Sequence, residues 1–441
     1  MSDSTQSPPI PVVTIQNLSR HVDQEVELRG WLYGKRSKGK LAFLQMRDGT
    51  GFVQVVVVRA EVDEASWEAA DRLTQEASCI VRGRVRADER AQGGFELGGT
   101  HVEVVALPTQ DYPISPKEHG VDFLMNHRHL WLRSRRQHAI LRVRATIEQA
   151  IHDFFYDRDF VRTDTPILTP AACEGTTTLF ETDYFEEKAF LTQSGQMYLE
   201  AACMAFGNVY NFGPTFRAEK SKTRRHLMEF WMVEAEMPYW NLAQNLELQE
   251  AFLRHVVGRV LERNRAELSL LERDVTTLEK TVATTFPRIT YDEALARLQA
   301  AGSDITFGED FGNDDEDILA RQFETPFFVT HYPAAIKAFY MDPDPERPDR
   351  ALCADMLAPE GYGEIIGGSQ RISDPDLLRA RFEEHELTDD AYGWYMDLRR
   401  YGTVPHAGFG LGIERTIRWI CGLEHIRECI PFPRLLTRMY P

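Results

Sequence analysis

The first hundred residues consist of short strand-like segments separated by turn signals, and this pattern limits the possible folds more than any other feature. β-branched and aromatic residues alternate or cluster in four stretches, namely residues 24–36, 41–58, 77–87 and 93–107. Asp48-Gly49 divides the second stretch and Gly93-Gly94 opens the fourth, and both dipeptides favour turns between strands. Five strands are therefore expected, with a helical stretch from Ala65 to Gln75 between the third and the fourth.

Five strands with a helix in that place are the layout of an OB-fold barrel, a frequent binder of single-stranded nucleic acid. Phe43 and Gln54 would lie on neighbouring strands of the sheet that such barrels present to ligands. An exposed ring can stack on an unpaired base, and a glutamine can bond the edge of a base. The alternative is that Phe43 is a core aromatic, and the strand pattern alone leaves both possibilities open.

The net charge of −18 argues at first against a polyanionic partner. Local charge is what attracts nucleic acid, however, and the charge is uneven. Residues 29–47 hold six Lys and Arg, and residues 128–144 hold six arginines, with no acid in either stretch. The acidic excess lies elsewhere, notably in residues 304–317. Each basic stretch is either a solvated charged face or part of a nucleic-acid surface.

Nothing in the sequence indicates a membrane or secreted protein. No run of about eighteen apolar residues occurs. The opening residues, MSDSTQSPPIPVV, lack the basic and apolar regions of a secretory signal. The six cysteines form no C-x-x-C pair, so reduced buried thiols are expected and a structural zinc site is not. These features predict a cytoplasmic protein of two or three domains without a membrane partner.

Prolines and few periodic apolar positions predict a hinge after the barrel. The chain is therefore divided into a disordered lead-in (1–12), the barrel (13–107), the hinge (108–130) and a large C-terminal domain (131–441). In that domain, helical periodicity from Gln137 to Asp157 is followed by FVRTDTPILTP, which predicts a strand ended by Pro170. Pro166 cannot donate to a strand ladder, which suits an edge or interface strand.

Chemically active side chains first gather in residues 211–237, which predict two strands around a basic loop. On these strands Arg217 shares its parity with Glu219, and Phe230 with Glu234, so each pair is expected to point to one face. The loop has the density of donors that a triphosphate needs, although an exposed basic hairpin is the alternative. Its basic residues are Lys220, Lys222, Arg224, Arg225 and His226.

Two further stretches carry candidate site residues. Residues 351–372 predict a strand pair with Asp355 and Glu364 among apolar neighbours, which suggests either Mg²⁺ ligation or two satisfied ion-pair acids. Residues 406–434 predict a glycine-rich strand, which lets a ligand approach the backbone, before a helix from Thr416 to Gly422 that Arg415 opens. Neither G-x-x-x-x-G-K-[ST] nor G-x-G-x-x-G occurs, so P-loop and Rossmann nucleotide sites are disfavoured.

Taken together, these stretches resemble the three motifs of class II aminoacyl-tRNA synthetases, in the family's order and over essentially the whole chain. The segment around Pro166 resembles motif 1, FRAE…RHLMEF resembles motif 2, and GFGLGIER resembles motif 3. An N-terminal OB-fold is typical of the subgroup for aspartate, asparagine and lysine. The resemblance implies an all-β OB-fold barrel followed by an α+β catalytic domain, an antiparallel sheet flanked by helices. It also implies a homodimer with motif 1 at the interface.

For ATP, the resemblance implies that Arg217 holds the α-phosphate and Glu219 the adenine amino group. Phe230 would stack on adenine. Arg415 would lie against the other face of the ring near the γ-phosphate, which His226 would reach. Arg217 and Arg415 would be the catalytic residues. The whole set that would contact ATP is Arg217, Glu219, Arg225, His226, Phe230, Glu364 and Arg415.

The resemblance also implies a metal ion and a tRNA. Asp355 and Glu364 would bind the Mg²⁺ that accompanies ATP. The central anticodon uridine would stack on Phe43 with Gln54 at its edge, and Arg36 would belong to the same anticodon surface. The acceptor end of an asparagine-specific tRNA would enter the catalytic domain.

Electrostatics has to select the amino acid within the subgroup. Aspartyl members carry S-x-Q-x-[FY]-K at the substrate wall, where the Lys grips a carboxylate, but SGQMYLE places Leu199 at that position. A buried carboxylate without a partner costs several kcal/mol. Arg371 can donate to an amide oxygen and Glu234 can accept from an amide nitrogen, while Glu174 and Gln196 would hold the α-amino group. The resemblance therefore implies L-asparagine as the substrate.

Three alternatives remain at this point. One is an aspartyl-tRNA synthetase, including one that accepts both tRNAs, and a second is a tRNA-independent, asparagine-forming relative built on the same catalytic core. The third is a non-catalytic module derived from a synthetase, which would have lost Arg217, Glu364 or Arg415. Residues 246–317 are too generic to align, and the usual PFPR-T-P-G ending is PFPRLLTRMYP here.

Overall fold

The N-terminal strands close into a barrel in the computed structural model, which describes residues 9–170, 172–173 and 178–441. Contacts divide the chain into two units between Leu124 and Met125. The barrel elements are β1 (Glu25–Lys38), β2 (Leu41–Arg47), β3 (Phe52–Val58), α1 (Glu64–Arg72), β4 (Ser78–Ala87) and β5 (Phe95–Ala106). The strands close in the order β1-β2-β3-β5-β4, which confirms the predicted OB-fold.

Alternation of apolar residues along the strands explains the barrel. Leu44, Val55 and Val81 point inward and are fully buried with their neighbours in one core. Helix α1 lies where the sequence predicts a helix. It begins at Glu64 because the Asp63 side chain accepts from the Ser66 backbone N–H at 2.7 Å, a standard N-terminal cap.

The chain joins the barrel earlier than predicted. The Glu27 N–H donates to the Pro11 carbonyl at 2.9 Å, and the Val13 N–H donates to the Glu27 carbonyl at 3.0 Å. Backbone pairing therefore begins within the predicted lead-in of residues 1–12, because β1 offers an unpaired edge there. The predicted hinge is also not devoid of structure, since it contains the short helices α2 (Val121–Asn126) and α3 (Arg128–Trp131).

Helices and strands alternate irregularly in the larger unit. Its elements are α4 (Arg135–Tyr156), β6 (Val161–Arg162), β7 (Leu168–Thr169), β8 (Glu181–Tyr184), β9 (Glu187–Leu191), α5 (Gln196–Phe206), β10 (Val209–Phe216), β11 (Glu229–Pro238), α6 (Leu242–Arg263), α7 (Arg265–Leu270), α8 (Thr276–Ala283), β12 (Arg288–Thr290), α9 (Tyr291–Ala300), α10 (Asn313–Ala320), β13 (Phe327–Thr330), β14 (Cys353–Ala358), β15 (Gly363–Arg371), α11 (Pro375–Glu384), α12 (Asp389–Arg400), β16 (His406–Gly412) and α13 (Ile413–Ile420).

An eight-stranded sheet with the order β12-β13-β14-β15-β16-β11-β10-β6 organises this unit. All neighbours are antiparallel except the pairs β12–β13 and β10–β6. A small sheet, β7-β9-β8, accompanies it. The predicted α+β domain with an antiparallel sheet and flanking helices is therefore confirmed.

The main core lies between this sheet and two long helices. From α4 and α6, Phe154 and Phe252 meet ring to ring at 5.1 Å, and both side chains are fully buried. They share one apolar cluster with Val233 of β11 and Leu411 of β16. The helix predicted from Gln137 to Asp157 corresponds to α4. The helices therefore cover one face of the sheet. Polar side chains can gather on the parts of the sheet that the helices leave uncovered.

The predicted strand FVRTDTPILTP is wrong as a single element. Residues 161–162 form β6 at the edge of the large sheet, parallel to β10, whereas residues 168–169 form β7 and pair with β9 of the small sheet. Pro166 lies between them and has no N–H with which to continue a ladder. The expected edge position is nevertheless found for β6.

Two members of the arginine run 128–144 are structural rather than solvated. Arg128 is fully buried and donates to the carbonyls of Pro431 and Ile430 at 2.8 and 2.9 Å. Arg144 donates to Glu414 at 2.6 Å and to the Cys429 carbonyl at 2.9 Å. These contacts hold the C-terminal segment against α3 and α4, so neither side chain is available to nucleic acid.

Among the described residues, no helix combines the length and the apolar character that a membrane span requires.

Candidate active site

A cavity of about 640 Å³ is lined by residues of α5, β11, β14, β15 and β16 and by the loops that flank them. This volume suits a ligand of nucleotide size. Every predicted ATP, metal and amino-acid residue in the described part of the chain lines this one cavity. Glu174, predicted to hold the α-amino group, lies outside the described residues. Segments far apart in the sequence are thus brought together.

At one end of the cavity, Arg217 lies beside Phe230, with the guanidinium 5.6 Å from the ring centre. The Arg217 backbone N–H donates to the Met228 carbonyl at 3.1 Å, which anchors the residue just beyond β10. Its Nε is buried and has no hydrogen-bond partner within the part of the chain that the structure describes. An unpartnered buried donor in a cavity indicates a ligand with acceptor oxygens.

The predicted strand parity of Arg217 and Glu219 is wrong, because β10 ends at Phe216 and both residues lie in the loop that follows. The loop nevertheless brings Glu219 to the cavity, with its Oε2 3.4 Å from His226 Nε2. Burial and the nearby Arg415 hold the pKa of His226 below its ordinary value. The parity argument does hold for Phe230 and Glu234, which both lie on β11 and line the cavity.

Arg225 of the basic loop is nearly buried and is committed to acidic partners. It donates to Glu316 at 2.8 Å and to the Gly361 carbonyl at 2.9 Å, and it also pairs with Asp317. Glu316 and Asp317 belong to α10. Both residues lie in the segment 246–317, which is too generic to align with the family. The acidic stretch therefore serves in part to anchor the basic loop.

Asp355 and Glu364 converge on the space beside Gly367. A Cβ at that position would lie 3.2 Å from Glu364 Oε1 and 3.5 Å from Asp355 Oδ1. Glu364 accepts from Arg415 at 2.8 Å. Burial raises the pKa of Asp355 to about 6, although Lys337 opposes the shift. Two converging carboxylates are a suitable oxygen donor set for a divalent cation.

Lys337 is a site residue that the sequence reasoning missed. Its ammonium donates to Asp355 at 3.0 Å, lies 3.6 Å from Asp310 and sits 3.8 Å from the centre of the Tyr332 ring. The missed signal is a lysine inside the apolar run PAAIKAFYM, where a charge requires a partner.

Arg415 lies in the first turn of α13 rather than just before a helix that starts at Thr416. The helix begins at Ile413, directly after the glycine-rich strand β16 ends at Gly412, so it starts earlier than predicted. The Arg415 side chain still reaches the cavity, where its Nη1 also donates to the Glu364 backbone carbonyl at 3.2 Å.

At the other end of the cavity, Glu234 is held by the start of α5. It accepts from the Gly195 N–H at 2.8 Å, from the Ser194 hydroxyl and from Asn211 Nδ2 at 3.4 Å. Leu199 of the same helix lines the cavity and has no exposed surface. The position that carries a lysine in aspartyl family members is therefore apolar within this wall.

Arg371 forms a bidentate ion pair with Glu236. Glu236 is the second site residue that the sequence did not lead us to predict. Its Nε and Nη2 each donate to one Glu236 oxygen at 3.0 Å, and Nη1 donates to Ser369 at 2.6 Å. Burial opposes the charge of Arg371, but the Glu236 carboxylate outweighs it and holds the pKa of Arg371 above its ordinary value. Glu236 shares strand parity with Glu234, a signal present in the sequence.

The predicted anticodon residues also lie together, on the barrel. Arg36 is paired with Phe43 across β1 and β2, and its guanidinium lies 4.5 Å from the centre of the ring. Arg36 Nη2 donates to Gln54 Oε1 at 3.4 Å. Phe43 is half-buried between the buried Ala42 and Leu44 and is not part of the barrel core, so the core alternative is disfavoured.

Comparison with known proteins gives the same assignment for both units. Residues 120–436 match the family "tRNA synthetases class II (D, K and N)", and residues 26–105 match the "OB-fold nucleic acid binding domain". The asparagine–tRNA ligase of Thermus thermophilus is 58% identical over 436 residues, which cover 97% of this chain and 100% of that relative.

Solved structures are similar over nearly the whole chain. Asparaginyl-tRNA synthetase from Pyrococcus horikoshii, complexed with asparaginyl-adenylate, matches with a TM-score of 0.93 and 44% identity and covers 98% of this chain and 100% of that one. Aspartyl-tRNA synthetase from Entamoeba histolytica matches with a TM-score of 0.80 and 26% identity, covering 99% and 95%. The higher identities to asparagine enzymes disfavour the aspartyl alternative. The chain belongs to the asparaginyl-tRNA synthetases, within the class II group for aspartate, lysine and asparagine.

Proposed function

We propose that the chain activates L-asparagine with ATP to asparaginyl-adenylate and then transfers the asparaginyl group to the 3′-terminal adenosine of its tRNA. The observation that carries the proposal is the cavity itself. One end presents Arg217, whose buried Nε has no partner among the described residues, beside an aromatic ring. The other end presents Arg371, whose charge is paired with the Glu236 carboxylate. Such a cavity matches an adenylate, which joins a nucleotide to an amino acid.

At the nucleotide end, Arg217 would stabilise the charge that develops on the α-phosphate as the asparagine carboxylate attacks and pyrophosphate leaves. Phe230 would stack on adenine, Glu219 would accept from the adenine amino group, and Arg415 would lie near the γ-phosphate. His226 would reach the γ-phosphate with a ring N–H. Positioning and charge stabilisation suffice for this step, and no side-chain nucleophile is needed.

Asp355 and Glu364 are the residues that would hold Mg²⁺, because their carboxylates converge beside Gly367. The ion would supply positive charge to the phosphate oxygens of ATP. Lys337 and Arg415, which pair with the two carboxylates, would keep them oriented. Arg225 would fix the basic loop through α10 and approach ATP from there.

At the amino-acid end, Arg371 would donate to the side-chain oxygen of asparagine. Three of its N–H groups are used by Glu236 and Ser369, and a guanidinium has five in total. Glu234 would accept from the amide nitrogen and Gln196 from the α-ammonium. Because Glu236 already balances the charge of Arg371 and Leu199 adds none, a carboxylate ligand would be left without a counter-charge.

We propose residues 13–107 as the anticodon-binding domain, residues 108–130 as the hinge and residues 131–441 as the catalytic domain. Arg36, Phe43 and Gln54 would form the anticodon surface. Together they supply a cation, a ring and an amide on adjacent strands. The acceptor end of the tRNA would enter the catalytic domain.

A homodimer and a cytoplasmic location complete the proposal. Val161, Ile167 and Leu168 around motif 1 are 43%, 44% and 42% exposed, which is unfavourable for apolar side chains unless a second copy covers them. All six cysteines are buried, and buried thiols are typical of proteins of reducing compartments.

Arg217→Ala should leave the fold intact and lower adenylate formation by about 10²–10³-fold, because a charge-assisted contact to the reacting phosphate is lost. The measurement is asparagine-dependent ATP–pyrophosphate exchange, with the melting temperature as a check on folding. Arg224→Ala is a matched control, since Arg224 also lies in the basic loop but is exposed and does not line this cavity. A folded Arg217→Ala enzyme with near-normal exchange would refute the assignment.

Phe43→Ala should weaken tRNA binding by roughly 1–3 kcal/mol through loss of base stacking, and Phe43→Tyr should retain most of the affinity. The measurement is binding of the asparagine tRNA by the full chain, with exchange activity as the control because no tRNA is required for it. Early melting together with normal charging below the melting temperature would instead make Phe43 a residue of structural importance.

The chain should sediment as a homodimer, because its exposed apolar motif 1 residues need a self-complementary partner surface. Ile167→Asp should shift the equilibrium towards monomers, whereas Val105→Asp should not, since Val105 is similarly exposed at 59% but lies on the barrel. A wild-type enzyme that is a stable and fully active monomer contradicts the proposal.

Leu199→Lys should erode asparagine activation, and Glu234→Gln should narrow the gap between asparagine and aspartate. Leu199→Lys adds a buried positive charge for which the neutral asparagine side chain offers no counter-charge. Glu234→Gln removes the negative charge that repels the side-chain carboxylate of aspartate. Sites built on a polar group of their substrate discriminate by roughly 10⁴–10⁵-fold. Exchange assays with both amino acids measure the ratio, and Leu199→Met serves as the apolar control. If neither Leu199→Lys nor Glu234→Gln changes the ratio of asparagine activation to aspartate activation, the assignment is contradicted.

A further inference from the structure

A fully buried carboxylate, Glu200, contacts Gln196 at the amino-acid end of the cavity. It accepts from Arg399 Nη2 at 2.6 Å, from His406 Nε2 at 2.9 Å and from the Tyr395 hydroxyl at 2.8 Å. Burial alone would raise the pKa of Glu200, but Arg399 and His406 outweigh it and hold the pKa below its ordinary value. Glu200 is therefore an anion that can only accept hydrogen bonds.

Gln196 lies one helical turn before Glu200 on the same face of α5. Its Nε2 donates to Glu200 Oε1 at 3.1 Å. A carboxamide has one donor end and one acceptor end, and an anionic carboxylate tolerates only the donor end. The NH₂ group of Gln196 is thus directed to Glu200, and its oxygen is left for the cavity that Gln196 lines.

We infer that Glu200 is a positioning residue for the amino-acid substrate, which fixes the carboxamide of Gln196 so that its oxygen faces the α-ammonium group. The inference rests on the proposed role of Gln196. An α-ammonium is a donor only, so it gains an attractive contact from the amide oxygen and a repulsive one from the NH₂ group. The fixed orientation also removes the rotational freedom that Gln196 would lose on binding.

Substitution of Glu200 by its isostere should invert this arrangement. In Glu200→Gln the new side chain has a single oxygen, which the N–H donors of Arg399 and His406 would attract. Its NH₂ group is then left facing Gln196, whose oxygen must turn to accept from it. The NH₂ group of Gln196 would consequently face the α-ammonium.

The test compares binding of asparagine with binding of succinamate, which is asparagine without the α-amino group, by calorimetry on the full chain. The wild-type preference for asparagine should fall on the order of 10- to 100-fold in Glu200→Gln, the usual range for a lost charged hydrogen bond. Affinity for succinamate and the KM for ATP should hardly change. Tyr395→Phe is the control, because it removes a Glu200 partner without altering the carboxylate that faces Gln196, and it should keep the preference.

A double-mutant comparison separates this inference from a structural role. In a Gln196→Met background, Glu200→Gln should cause no further loss of preference, since there is no carboxamide left to orient. Equal losses for both ligands, or the same loss of preference in the Gln196→Met background, would overturn the inference. An unchanged preference in Gln196→Met alone would instead overturn the proposed role of Gln196. If Glu200→Gln does not fold, Glu200→Asp replaces it in the test. This variant keeps the buried charge but moves it away from Gln196, so it should also lower the preference for asparagine over succinamate.

Discussion

The ion pair between Glu236 and Arg371 is the interaction on which the active site depends. It joins β11 to β15 across the intervening strand β16, and it requires that β16 carry no side chain at Gly408. A Cβ at Gly408 would lie 1.9 Å from Glu236 Oε2. A Cβ at Gly410 would lie 2.6 Å from the terminal methyl of Met232. Gly408 and Gly410 of β16 are thus explained by the side chains of β11 that lie over them.

Four cations that line the cavity are paired with carboxylates before any substrate enters. Lys337 faces Asp355, Arg415 faces Glu364, Arg225 faces Glu316, and Glu236 faces Arg371. Charges held in fixed places cost little reorganisation when the reaction proceeds, which is a major source of catalytic power. Arg217 differs, because its buried Nε has no partner among the described residues. The cation assigned to the reacting phosphate therefore keeps a buried donor that no described residue uses.

The strands and helices that carry this site could be predicted from the sequence more fully than the contacts between its side chains. Phe230 and Glu234 could be placed on one face because strand parity is a local property. Glu219 could not be placed by parity, since nothing in the sequence marks where β10 ends. The split of FVRTDTPILTP between two sheets was missed because pairing partners are set by distant segments. Glu236 was missed because its partner Arg371 lies 135 residues away in the chain. Lys337 was missed although a lysine within an apolar run is a local signal of a buried partner. The arginine run suggested a surface, although Arg128 and Arg144 are buried.

The cavity offers hydrogen bonds to a neutral amide side chain but no counter-charge to a carboxylate. ATP–pyrophosphate exchange of the unmodified enzyme, measured with asparagine and with aspartate at equal concentrations, tests it most directly. Asparagine should support exchange, and aspartate should give no more than the background without amino acid. Comparable exchange with aspartate would contradict the charge balance described for Arg371, Glu236 and Leu199.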